Sequence, residues 1–141
     1  MVAVALGSAV MRRQRRSLAG YTLILVGLCL AFPAEAKSLH ITGVVGQPVR
    51  VAGHVRFAKG CDGGPLPAMT VVTAPSMGTL STKTEPVTLT APDFGTCPPG
   101  SRGPGVVVYY TAKAAGKDTF HYRMSSPGLP TTDWQVTVDI R

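Results

Sequence analysis

The side chains with the most chemistry to offer are the three histidines, His40, His54 and His121. Imidazole acts as a general acid or base and ligates metals, so these residues are the first place to look for a site. Each lies on the polar face of an alternating segment, which predicts that all three point outward. His54 and His121 fall on strands expected in opposite sheets. Only His40 and His54, on neighbouring strands, are therefore expected to meet.

Two histidines alone make a weak metal site. The serines stand in neither a Gly-x-Ser-x-Gly nor a Ser-x-x-Lys arrangement, so no activated nucleophile is indicated. We therefore expect no catalysis and no cofactor. A periplasmic metal or small-ligand binding protein, using outward-facing His40 and His54, remains the alternative function.

Cysteine usage points to an oxidising compartment. Cys29 lies in the leader described below, which leaves Cys61 and Cys97 as a pair. We expect one disulfide, which would stabilise a small domain by roughly 3 to 4 kcal/mol in the chain-entropy model. The competing interpretation is metal ligation, but no other Cys or His stands at ligand spacing.

The first 36 residues have the organisation of a secretory signal peptide. Arginines at 12, 13, 15 and 16 precede an apolar run, Leu18 to Phe32, and a small-x-small site at Ala34-Glu35-Ala36. The run is shorter than the roughly 20 residues that a spanning helix needs, so we expect no stable membrane anchor after cleavage at Ala36. Residues 1–10 carry no charge and lie upstream of the arginines, so Met11 is an alternative translation start and residues 1–10 an over-long gene start. Arg15-Arg16 leaves the general and twin-arginine routes open, and either predicts a periplasmic or secreted protein.

The basic character of the chain is partly a property of this leader. The net charge is +7 and the pI about 9.8, but the four leader arginines contribute to both. The remaining charges are scattered, without a basic run or interleaved aromatics, which disfavours nucleic-acid binding. Residues 37–141, roughly 100 in number, have the size of one domain.

Residues 37–141 alternate with the period of β-strands. Twelve prolines and sixteen glycines punctuate the chain, and no stretch has helical spacing. We predict an all-β fold, a single antiparallel sandwich of about seven strands. Two continuous apolar runs suit central strands, and one short segment suits an edge. The runs are Met69 to Val72 and Val106 to Tyr110; the edge segment is Pro86 to Thr90; the alternating segments are Leu39 to Val45, Val49 to Phe57 and Trp134 to Ile140.

Three motifs resemble those of bacterial Ig-like and cadherin-like domains of exported proteins. They are the Pro-x-x-Gly-Thr turn at Pro75 to Thr79, the Tyr-Thr strand end at Tyr110-Thr111, and the Gly-x-Asp-x-Phe-x-Tyr corner from Gly116 to Tyr122. The resemblance covers about half of the chain and implies structural, adhesive or spacer roles. Those domains usually occur in tandem arrays, whereas this chain holds one copy.

The corner has a structural interpretation of its own. Gly116 permits positive φ, Asp118 accepts hydrogen bonds from nearby backbone, and Phe120 and Tyr122 point to the core. The Tyr122 hydroxyl is expected to bond back to the corner, as in a tyrosine corner. A calcium site is disfavoured because Asp118 has no second carboxylate beside it.

The longest connections are predicted to gather at one end of the sandwich, away from the corner. They are residues 58–67, 91–105 and 125–133, and they place Cys61 and Cys97 at that end. We expect an exported non-catalytic module, structural or binding an envelope protein or polymer through this disulfide-stapled loop end. The candidate contact residues are Lys59, Asp62, Asp93, Phe94, Arg102, Leu129 and Asp133.

Overall fold

The computed structural model describes residues 35–90 and 97–141, and within them the chain forms strands and no helix. The predicted all-β sandwich of seven strands is confirmed. No helix in these residues is long and apolar enough to cross a membrane. Residues 1–34 of the expected leader, with Asp93 and Phe94, lie outside the described part. The strands are β1 (Lys37–Gly43), β2 (Pro48–Val55), β3 (Ala68–Thr73), β4 (Gly78–Thr88), β5 (Arg102–Ala112), β6 (Gly116–Ser125) and β7 (Thr132–Ile140).

The strands form a four-stranded sheet in the order β1-β7-β6-β3 and a three-stranded sheet in the order β2-β5-β4. All pairs are antiparallel except β1 and β7, which run parallel from Lys37 opposite Trp134 to Gly43 opposite Ile140. The expectation of a purely antiparallel sandwich is wrong here. The turn at 44–47 carries β2 into the other sheet, so β1 pairs along the free edge of β7. Strands β1 and β2 are consequently not neighbours in one sheet.

The core lies between β5 of one sheet and β6 and β7 of the other. Tyr110 and Phe120 are fully buried and stack with ring centroids 5.4 Å apart. The central position predicted for Val106 to Tyr110 is therefore correct. The same prediction for Met69 to Val72 is wrong: β3 is an edge strand, and Val72 is 53% exposed. An apolar β-branched run fits either position, because the pairing partners and not the run decide which strand is central.

A β-bulge in β2 changes which side chains face the core. Arg50 pairs with Tyr109 and Ala52 with Val108, which leaves Val51 as an extra residue. Because strand side chains alternate with a period of two, one extra residue reverses the alternation after it. Ala52 and His54 consequently face inward, where a regular strand would have turned them outward.

The segment from Gly116 to Tyr122 connects the two sheets through Asp118, which is 2% exposed. Its carboxylate accepts hydrogen bonds from the backbone N–H of Ser76 (3.0 Å) and Met77 (2.8 Å) in the turn between β3 and β4. It also accepts one from the Tyr110 hydroxyl on β5, at 2.9 Å. Asp118 thus ties β6 to a strand of the opposite sheet and to the turn that crosses between the sheets.

Gly116 and Tyr122 complete this region. Gly116 has φ +137, a backbone conformation that side chains rarely adopt, so the conformation requires glycine there. A Cβ would also lie 2.9 Å from the flexible Met77 methyl. Tyr122 is fully buried. Its hydroxyl does not return to the corner as expected but bonds to His54, and Tyr110 takes the corner bond instead.

Replacing Asp118 with Asn should lower the free energy of unfolding by about 2 to 4 kcal/mol at pH 7, because buried donors lose a charged acceptor. Burial raises the pKa of Asp118, but the bonds from Met77, Ser76 and Tyr110 outweigh it and hold the pKa below its usual value of 3.8. Its contribution is therefore present above pH 3.8 and lost as pH falls through the lower folded-state pKa.

Urea unfolding at several pH values from 7 to 2 measures this contribution. The difference in free energy of unfolding between wild type and Asp118→Asn should become smaller toward pH 2. Asp139→Asn is the matched control, since Asp139 is a more exposed carboxylate on the neighbouring strand. Equal losses in the two variants at pH 7 would contradict the role assigned to Asp118.

Candidate functional site

Three connections meet at the end of the sandwich opposite Asp118: residues 56–67, the described residues 89–90 and 97–101 of the β4–β5 connection, and residues 126–131. Cys61 in the first and Cys97 in the second form a disulfide with a Cα–Cα distance of 5.6 Å, as predicted. Cys61 is the one non-glycine residue of the described part with positive φ, at +60. The loop end is thus covalently closed between the β2–β3 and β4–β5 connections. We call these three loops the stapled loop end.

The predicted contact residues differ in how accessible they are. Lys59, Asp62 and Arg102 are exposed, and Leu129 is 53% exposed in the third loop. Leu66, which the sequence did not single out, is 45% exposed in the first loop. These positions give the stapled loop end an apolar and polar surface.

Asp133 is not a free charge of this surface. Arg123 donates hydrogen bonds from Nε to Oδ1 (2.8 Å) and from Nη2 to Oδ2 (3.2 Å) of Asp133. The two residues stand opposite each other in the β6–β7 pair, so the ion pair belongs to the sheet. Cross-strand pairing satisfies this carboxylate within the domain.

A cavity of about 640 Å³ opens at the stapled loop end, within the size range of small-molecule sites. Both sheets and all three loops contribute to its lining. Its polar lining includes Lys37, His54 and Arg56, and none of the described lining residues carries a carboxylate. The apolar lining consists of Val55, Phe57, Pro67, Val87, Leu89, Met124, Leu129, Pro130 and Trp134.

His54 lies inside this end of the sandwich, so the prediction that it faces outward is wrong. The bulge at Val51 turns it inward, where its Nε2 is 3.0 Å from the Tyr122 hydroxyl oxygen. Its ring meets that of Trp134 edge to face at a centroid distance of 5.1 Å. Burial, with a smaller effect of Lys37, lowers the pKa of His54 to about 4, and the ring is neutral at pH 7.

His40 lies elsewhere, which separates the two histidines of the expected metal site. It is exposed, and its Nε2 is 2.5 Å from Asp139 Oδ2 on β7, whose other oxygen lies 3.5 Å from Lys117 Nζ. Buried Val138 alternates with Asp139, so His40 is on the outer face of the four-stranded sheet. His121 is partly buried, on the same sheet. No group of three potential metal ligands occurs in residues 35–90 and 97–141.

Two hydrogen-bond donors at the cavity have no acceptor among the described residues. Arg56 Nη1 and Trp134 Nε1 are both buried and unpaired. An unpaired buried donor costs about 1 to 3 kcal/mol, and more when charged. The Lys37 ammonium lies 5.4 Å from the centre of the Trp134 ring. The chemistry that this arrangement offers is the recognition of hydrogen-bond acceptors and negative charge against an aromatic surface.

Sequence analysis missed Arg56 and Trp134 as site residues. Regular alternation in Val49 to Phe57 puts Arg56 on the polar side with His54, and regular alternation in Trp134 to Ile140 puts Trp134 on the same side as Val136 and Val138. The available signal was Gly53, which interrupts the apolar side of β2, since a strand glycine often marks a bulge. A bulge near this glycine would have reversed the assignment of His54.

Comparisons with known proteins supply no family. No protein-family profile and no curated protein matches the chain. Among solved structures, the solution structure of Amebosin aligns with a TM-score of 0.37 and 14% identity, over 76% of this chain and 99% of that one. A likeness at this level carries no argument about fold or function.

Replacing both Cys61 and Cys97 with Ser should lower the free energy of unfolding by roughly 3 to 4 kcal/mol, because the unfolded chain regains the entropy of an open loop. Urea denaturation without reductant measures the loss. Adding reductant should bring wild type down to the variant and leave the variant unchanged. An unaltered midpoint in the variant would refute the stabilising role.

The stability of the protein should fall as pH is lowered from 6.5 toward 4. The unfolded chain protonates His54 near 6.5 and the folded protein only near 4, so the folded state binds fewer protons between these values. The slope from this group reaches at most about 1.4 kcal/mol per pH unit. Unfolding of His54→Phe should show a flatter profile of stability against pH between pH 6.5 and 4.5 than the wild type. Parallel profiles for wild type and His54→Phe would disprove the assignment.

Proposed function

We propose that the protein is an exported, non-catalytic Ig-like module that binds an envelope protein or polymer through the stapled loop end. One observation carries the proposal: a disulfide fixes two loops at the end where Leu66 and Leu129 are exposed. The leader pattern supports export, and the disulfide is compatible with an oxidising compartment outside the cytoplasm.

Covalent closure favours binding because a disulfide limits the conformational freedom of the two loops that it joins, so they lose less entropy on association. Leu66 and Leu129, which are 45% and 53% exposed, provide apolar contact area on this loop end. Lys59, Asp62 and Arg102 provide the polar surroundings that typical interfaces have at their rims. The two-sheet sandwich would hold these loops at one end of the domain, away from the end at Asp118.

The metal-binding alternative has no comparable support in the geometry. His40 is engaged by Asp139 on an outer sheet face, and His54 is held between the sheets by Tyr122 and Trp134. The small-ligand part of that alternative is a separate matter, because the cavity uses different residues.

Photo-cross-linking tests the loop surface directly. A benzoylphenylalanine replacing Leu129 should cross-link to a discrete partner in intact cells, whereas the same residue replacing Val44 should not. Val44 is the matched control because it is 56% exposed and lies in the turn at the opposite end. Against the purified partner, Leu129→Asp should weaken binding at least about tenfold, the effect of losing a central apolar contact. Val44→Asp should leave affinity unchanged.

Cross-links of the same mass from both positions, or equal affinity of the two aspartate variants, would remove the loop end as the binding surface. A discrete product from Val44 alone would assign partner binding to the opposite end. Either result would leave the disulfide with a structural role only.

A further inference from the structure

We propose that the cavity at the stapled loop end binds a small organic carboxylate with an apolar, ring-bearing body. Arg56 would receive the carboxylate, and Trp134 with the neighbouring apolar side chains would enclose the body. The cavity shares Leu129 with the exposed loop surface, but its polar residues, Arg56 and Trp134, are not part of that surface. Binding there requires no macromolecular partner.

The charge of the lining selects the sign of the ligand. Lys37 and Arg56 are the charged lining residues of the described part, and His54 beside them is neutral at pH 7. Because the described lining holds no carboxylate, both positive charges attract a negatively charged ligand in the cavity. An anion is favoured and an amine is disfavoured.

The donors select the chemistry of the head group. Arg56 Nη1 and Trp134 Nε1 find no acceptor among the described residues. A planar carboxylate offers two oxygens to a guanidinium, which is the geometry that arginine recognises best. A neutral amide of the same shape offers one oxygen and no charge, so it makes a weaker match.

The walls select the body of the ligand. Trp134 supplies an aromatic surface, and Met124, Leu129 and Pro130 are among the apolar side chains around it. Methionine adapts to the shape of a ring and contacts it favourably. The cavity volume of about 640 Å³ is that of a small-molecule site. It is larger than a single side chain from a protein partner would fill.

The position of Arg56 indicates how the ligand would lie. A Cβ placed on Gly128 would be 3.9 Å from Arg56 Nη2, so the guanidinium is beside the β6–β7 turn. His54 and Trp134 lie on strands of the two sheets, β2 and β7. The carboxylate would therefore stay near the turn, and the ring would point toward the aromatic side chains.

Trp134 is the one tryptophan of the chain, so its fluorescence reports on the two surfaces that it lines, this cavity and a second pocket beside Glu35 and Ser38. The substitutions described below separate the two. The secreted domain would be titrated with 4-phenylbutanoate and, separately, with 4-phenylbutanamide and 4-phenylbutylamine. We expect saturable change with the acid, affinity at least about tenfold weaker with the amide, as loss of a charge-assisted pair implies, and none with the amine. Equal response to acid and amide, or a response to the amine alone, would overturn the proposal without recourse to any variant.

Two substitutions then locate the head group. Arg56→Gln should abolish the preference for acid over amide, and Arg56→Lys should keep part of it. Arg50→Gln is the matched control, because Arg50 is an exposed arginine on the outer face of β2, the strand that ends just before Arg56. Circular dichroism establishes that each variant is folded. An undiminished preference in Arg56→Gln, or the same loss in Arg50→Gln, would exclude Arg56 as the carboxylate receptor.

Discussion

The buried carboxylate of Asp118 is the constraint on which the arrangement of the two sheets depends. It sits on β6 and accepts hydrogen bonds from Tyr110 on β5 and from the turn at Ser76 and Met77. Tyr110 belongs to the sheet opposite that of Asp118, and Ser76 and Met77 belong to the turn that passes between the sheets. A charge removed from water in this way is tolerable only when its oxygens are fully bonded. Its network therefore fixes the spacing of the sheets at one end and leaves the other end to be fixed differently.

At the other end, a disulfide and side-chain packing hold the two sheets together. Cys61 and Cys97 join two loops, while the bulge at Val51 turns His54 inward against Tyr122 and Trp134. These polar and aromatic groups do not fill the space as the aliphatic core does around Val136 and Val138. The cavity lies where tight packing gives way to the loops. A covalent bond is a suitable device there, because it stabilises without filling volume.

The expectations from sequence that held are those that depend on local pattern. Alternation predicted β7 correctly because Val136 and Val138 lie in a regular, unbulged strand. The pairing of Cys61 with Cys97 followed from there being just two cysteines after the leader. Position in a sheet is a different matter: neither the parallel pairing of β1 with β7 nor the edge location of Val72 is encoded in the strand itself. Both features depend on which edges of the other strands remain free for pairing in the folded protein.

The candidate site was hidden from sequence for a more specific reason. One extra residue in β2 reverses the direction of every later side chain in that strand. His54 therefore faces the interior, although the residues around it in the sequence are those of an ordinary alternating strand with an outward histidine. Loss of solvent then keeps the imidazole neutral and leaves the positive charge of the cavity to Lys37 and Arg56. A regular β2 would have given an apolar interior with an exposed histidine. The bulged β2 instead turns the neutral His54 ring toward a cavity that Trp134 of β7 and Lys37 of β1 also line. The proposed preference for an acid rests on this combination.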